Sequence, residues 1–132
     1  MNIKIDDLAN EITKCMSNYS NNVAEGVKVA VDIVAKETNE EIKNHITFKQ
    51  HKGNKYVKAF RVKTSYEDRF NKRNTWYVAK GQHRLTHLLE NGHALRNGKR
   101  SGKFPHIKYG EELAIRRMEE LAKVAIENAN RR

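Results

Sequence analysis

Apolar residues recur at steps of three and four over more than forty residues at the start of this chain. Ile5, Leu8, Ile12, Cys15/Met16 and Tyr19 form one run, and Val23, Val27, Ala30/Val31, Val34, Ile42 and Ile46 continue it. That period is the mark of a helix with one face against a core. Neither proline nor paired glycine interrupts the run, so a helical first third, residues 1–46, is the strongest constraint on the fold. Residues 17–22, SNYSNN, are poor helix formers and good caps. The favoured reading is therefore a short helix to about Met16, a break, and a long helix from about Asn22 to Asn44. The alternative is one unbroken helix of roughly 65 Å. A compact domain of 132 residues cannot cover such a helix, and helices of that length usually belong to assemblies. Cys15 occupies an apolar position and is expected to be a small buried hydrophobe. As the single cysteine it forms no intramolecular disulfide, which suits a reducing compartment.

The pattern changes after Thr47. Residues 55–63 are rich in aromatic and β-branched side chains, with Tyr56, Phe60 and Val62 mostly on one parity. They read as a strand. Residues 67–74 are polar and read as a turn, and residues 75–79 (TWYVA) as the returning strand of a hairpin. Tyr56, Phe60 and Trp76 are expected to pack on the long helix. A platform that stacks single-stranded bases is the sharper alternative. A short helix over 84–90 should turn Leu85, Leu88 and Leu89 inward and stop at Asn91-Gly92. Residues 93–108 look too polar and glycine-rich for regular structure, with Pro105 setting the exit. A last amphipathic helix starts near Tyr109, with Glu111 and Glu112 in its first turn and a frayed end over 128–132. The fold class is α+β in a single domain over 1–132: helical 1–46, β-rich 47–82, a helix and basic loop over 83–108, and a C-terminal helix over 109–130.

Charge is unevenly spread. The net charge of +10 resolves into −2 for residues 1–50 (6 bases, 8 acids), +12 for residues 51–110 (15 bases, 3 acids) and zero for residues 111–132 (5 of each). A field so concentrated faces a polyanion or an acidic protein surface. No apolar run approaches the roughly 18 residues of a membrane span, so no membrane partner is expected. Asp6 and Asp7 stand where an export signal would need an apolar core, so export is not expected either.

Residues 83–110 carry four of the six histidines and the only proline. His83, His87 and Glu90 share a helix face, with His93 just beyond, and this spacing can hold a divalent metal. The zinc-protease pattern, however, needs a glutamate directly after the first histidine, where Arg84 stands. An HNH-type nuclease would need an acidic ligand set that the segment lacks. Neither a nucleophile elbow nor a dinucleotide fingerprint is present, and Gly98–Lys103 lacks the spacing of a phosphate loop. The reading is no catalytic residue, no cofactor and no metal. What remains is a basic loop, with Arg84, Arg96, Lys99, Arg100, Lys103 and Lys108, that becomes ordered when it meets a partner.

The run LTHLLENGHALRNG (85–98), followed by a short basic glycine-rich loop and then PHI (105–107), resembles the signature of small tail-component proteins of long, non-contractile-tailed phages, the head–tail joining or tail-completion proteins. His87, Glu90, Gly92, His93, Arg96, Pro105 and His106 match that motif. Lys99-Arg100 departs from it, since a further glycine would precede the arginine. The resemblance implies a non-enzymatic virion part at the head–tail interface, built in the host cytoplasm as a homo-oligomeric ring, hexameric in the assembled tail. It would contact connector and tail proteins and lie on the path of DNA ejection. From below, Gly92 ends the helix, His93 and Arg96 are expected to bond loop carbonyls or a neighbour's acids, and Pro105 sets the loop's return. Protein contacts are favoured over DNA for the loop, because a strongly basic lumen would hold the DNA it must release. The alternatives are a nucleic-acid-binding module using the basic middle, or a metal-dependent HNH-like nuclease.

Overall fold

A computed structural model describes residues 5–48 and 54–130, with side chains from residue 7 onward. Ile3, the Ile5 side chain, Arg131 and Arg132 therefore lie outside the described residues. The fold is α+β. In chain order it comprises α1 (Ile5–Asn44), α2 (Lys55–Lys58), β1 (Phe60–Glu67), β2 (Lys72–Val78), α3 (His83–Asn91) and α4 (Ile107–Ala129).

The break expected at 17–22 is absent. α1 runs unbroken for 40 residues, about 60 Å. Ser17, Asn18, Ser20 and Asn21 lie inside it. They carry only a propensity cost of a few tenths of a kcal/mol each, and none is a proline or glycine that would force a stop. α4 packs antiparallel along the C-terminal half of α1. Gly110 sits on Thr38 and Ile42, Arg117 bonds Glu37, and Ala125 meets Gly26. Both glycines are there for close approach. A Cβ on Gly110 would lie 2.7 Å from Ile42 Cδ1, and one on Gly26 would lie 2.9 Å from Ala125 Cβ. The Arg117 guanidinium bonds Glu37 through two nitrogens, at 2.8 and 3.1 Å, and holds the Glu37 carboxyl below its ordinary range. His45 stacks on Tyr109 at 3.8 Å, which ties the end of α1 to the start of α4. α4 remains helical through Ala129, where fraying was expected, and Ala125 and Ala129 are buried against α1. Ile115 and Ile126, two apolar positions of α4, are 66% and 45% exposed, because a two-helix contact buries a narrower stripe than the apolar pattern spans.

The hairpin differs from its sequence reading in phase. Residues 55–58 form one helical turn, not the start of a strand, and β1 begins at Phe60. β1 and β2 pair antiparallel, with Phe60 opposite Val78 and Val62 opposite Trp76, and an irregularity between Thr64 and Tyr66. The turn is shorter than the polar run implied. Asp68 accepts the backbone N–H groups of Phe70 and Asn71 and closes the turn within residues 68–71. The Tyr66 hydroxyl, then the Phe70 amide, holds the Asp68 carboxyl at about 2. The hairpin docks on α1 through Trp76 Nε1–H, which donates to Asn39 at 3.0 Å, and through Lys72 and Asn74, which both bond Asp32. The core lies where this hairpin, the C-terminal end of α1 and α2 meet. Ile42, Tyr56, Ala59, Phe60 and Val78 are buried there, with Phe48, Trp76 and Leu89 packed around them. Among the described residues, no helix is both long and apolar enough to cross a membrane.

Candidate functional site

The motif residues converge where α3, the loop after it and the first turn of α4 meet the aromatic core. The helix start there is unusual. The first four N–H groups of an α-helix have no partner within it, and α4 carries no acid in its first turn and no side-chain cap of its own. Glu111 and Glu112, expected to serve that end, lie too far along, because the helix begins at Ile107. Glu90 reaches across from α3 instead. Its Oε1 accepts from the N–H of His106 at 2.8 Å and of Ile107 at 3.1 Å, and its Oε2 from that of Lys108 at 3.1 Å. Burial alone would raise the Glu90 pKa. The three backbone donors, with His106 beside them, outweigh it and hold the carboxyl below its ordinary value.

His106 is fully buried. Its Nδ1–H donates to the Phe104 carbonyl at 2.7 Å and lies 3.1 Å from Glu90 Oε1, while Nε2 is 2.6 Å from the Tyr56 hydroxyl. Tyr56 in turn bonds Thr86 Oγ1 at 3.2 Å. Burial pushes the Tyr56 phenol up, so the hydroxyl keeps its proton. Phe48 and Tyr56 pack edge-on to the imidazole, at 5.9 and 5.5 Å, and Phe104 packs on Phe48. A buried polar chain of this kind joins α2, α3 and α4 into one unit.

The loop is more regular than the sequence suggested. Gly92 caps α3 with φ +72°, and a Cβ there would lie 2.9 Å from the Ser101 carbonyl oxygen. The N–H of His93 donates to Ser101 Oγ at 2.8 Å, and that hydroxyl lies 2.9 Å from His93 Nδ1. The backbone folds back as a small hairpin, with Ser101 N–H donating to the His93 carbonyl, Leu95 N–H to that of Lys99, and a bridge between Ala94 and Arg100. Gly98 makes the turn with φ +80°. His93 thus bonds a serine hydroxyl where a carbonyl was expected. Among the described residues Arg96 reaches no loop carbonyl; Arg100 approaches the Gly92 carbonyl instead, at 3.5 Å. Pro105 stands directly before His106, where the chain re-enters the core.

Six basic residues, Arg84, Arg96, Lys99, Arg100, Lys103 and Lys108, are all exposed. Among the described residues, none of their side chains pairs with a carboxylate. The histidine cluster does not assemble: His83 and His87 are exposed on α3, Glu90 is taken up by the α4 amides, and His93 belongs to the loop. Among the described residues, no group of three or more His, Cys, Asp or Glu stands within reach of a common ion. Leu85, expected inside, is 37% exposed, while Leu89 reaches the core. Comparison with family models, curated proteins and solved structures found no match. Sequence reasoning missed Tyr56 and Phe104 as partners of His106. The available signal was Pro105-His106 directly ahead of a helix that lacked its own cap.

Proposed function

We propose that the chain is a structural assembly subunit of a phage virion, acting in tail completion or head–tail joining and presenting the basic loop to acidic protein surfaces. The observation that carries this reading is how the motif is used. Glu90, Gly92, His93 and His106 are engaged with backbone groups, the Ser101 hydroxyl and the Tyr56 hydroxyl, in a lock that shapes the 92–106 loop. What the lock presents to solvent is charge that no carboxylate meets among the described residues, which suits docking better than turnover. The resemblance of 85–107 to tail-completion proteins supplies the specific partners: connector and tail proteins, with further copies of the chain forming a ring. The test is a phage genome encoding this chain with that gene silenced. Separate filled heads and tails should accumulate, and the wild-type chain supplied in trans should restore joining. Normal yields of infectious particles from the silenced genome overturn the proposal.

A second reading, nucleic-acid binding, is favoured by the exposed hairpin. Lys63 lies over the Tyr77 ring at 5.1 Å, Arg69 over Phe70 at 5.1 Å, and Tyr66 and Phe70 are half-exposed beside Arg73. It requires duplex binding whose log affinity falls linearly with log salt. A chain that ignores duplex DNA at low salt removes it.

A further inference from the structure

We infer that the free N-terminal portion of α1 is a docking helix for a second copy of this chain, and that two copies pair antiparallel about a twofold axis. α4 covers α1 only from Ile42 back to about Asn22, so residues 7–20 project with every residue exposed. The projecting part is not a polar solvent helix. Leu8, Ile12, Met16 and Tyr19 are 47, 52, 66 and 36% exposed, and Cys15, expected to be buried, is exposed with them. On a helical projection Leu8, Ile12, Cys15, Tyr19, Gly26 and Ile33 fall within about 60° of one another. The bare stripe is thus the same face that α4 covers further along.

The receptor is on the same molecule. A groove runs between α1 and the end of α4, lined by Gly26, Val29, Ile33, Leu121, Val124 and Ala125. Val29, Ile33 and Val124 are 58, 40 and 46% exposed. The groove occupies α1 from Asn22 to Ile33 and the stripe runs from Leu8 to Tyr19, so both measure roughly 17 Å. α1 is unbroken, so its own N-terminal part cannot fold back into its own groove. Antiparallel, a second copy sets Leu8 beside Ile33, Ile12 beside Val29 and Cys15 beside Gly26, with the side chains of each seam supplied reciprocally.

Antiparallel packing in this register brings Asp7 toward Lys36, which are opposite in sign, while Glu11 approaches Asp32, whose charge Lys72 already meets at 2.9 Å. The pair leaves both basic loops at its far ends, roughly 70 Å apart. It concerns the free chain and does not depend on the virion reading.

The test is the mass of the full chain by sedimentation at micromolar concentration, in low and moderate salt. The wild-type chain should run as a dimer. Ile12→Lys and Val29→Lys, both at positions exposed in the single chain, should each give a monomer with unchanged helix content by circular dichroism. Asp7→Lys should weaken the dimer at least tenfold, and Asp7→Lys with Lys36→Asp should restore it. A monomeric wild-type chain overturns the inference, as does a dimer or larger ring that survives Ile12→Lys, or a charge swap that fails to rescue.

Discussion

Glu90 shows how much one side chain can organise. Its carboxylate replaces both the capping residue and the acidic first turn that α4 lacks. Glu90→Gln removes the charge while nearly preserving shape, and should cost about 1–2 kcal/mol in urea unfolding at neutral pH. The folded pKa is depressed, so the stabilisation is complete above the unfolded carboxylate value of about 4.3 and is lost as pH falls through the lower folded value. The glutamine variant should therefore lose less stability than wild type between neutral and acid pH; parallel curves would show that the charge is idle. Gly92 is constrained twice, by a positive φ and by the Ser101 carbonyl oxygen, 2.9 Å from where a Cβ would stand. Gly92→Ala should cost about 1–3 kcal/mol, where alanine at an ordinary loop glycine would be neutral or slightly stabilising.

Among the elements, the α1–α4 contact depends on the absence of two side chains. Placing a methyl at Gly110 drives it against Ile42, and overpacking of this kind costs about 1–3 kcal/mol. Thermal unfolding of Gly110→Ala should show that loss, and combining it with Ile42→Ala should cost less than the two single losses added together, because Ile42 Cγ1 and Cδ1, the atoms that the methyl meets, are then gone. A double variant as unstable as the sum of the two singles would show that the helices do not approach as closely as these distances require. The hairpin is held differently, by Trp76, Lys72 and Asn74 on the polar side of α1. Trp76→Phe keeps the ring against Phe60 and leaves Asn39 Oδ1 without its donor. Asn39 is half-buried, so the expected cost is about 1 kcal/mol.

For the whole molecule, structural demand and charge are separated. The core and the Glu90–His106–Tyr56 lock use few of the 26 basic residues, and the six around the loop are unpaired with acids among the described residues. Reversing Arg96, Lys99, Arg100 and Lys103 to glutamate together should change the unfolding free energy by no more than about 0.5 kcal/mol per site, while abolishing complementation of the silenced phage gene. Equal loss of stability and complementation would assign the charges to folding. The projecting helix and the loop lie toward opposite ends of α1, so self-pairing and partner docking can coexist on one chain.

Much of this was legible in the chain itself. The α+β class, the long helical first third, the aromatic hairpin, the stop at Gly92 and the basic surplus of the middle all follow from local rules, since periodicity, positive-φ glycine and charge act over a few residues. The phase of β1, the continuity of α1 and the true start of α4 did not follow. The phase of β1 depends on Ile42 beneath Tyr56 and Phe60, and the start of α4 on Glu90, some 16 residues before the amide it caps, while α1 runs on through 17–22 because nothing there costs enough to stop it. Only the tertiary structure decided which part of the apolar stripe is covered. α4 is 23 residues long and α1 is 40, and the difference leaves Cys15 and its neighbours in water.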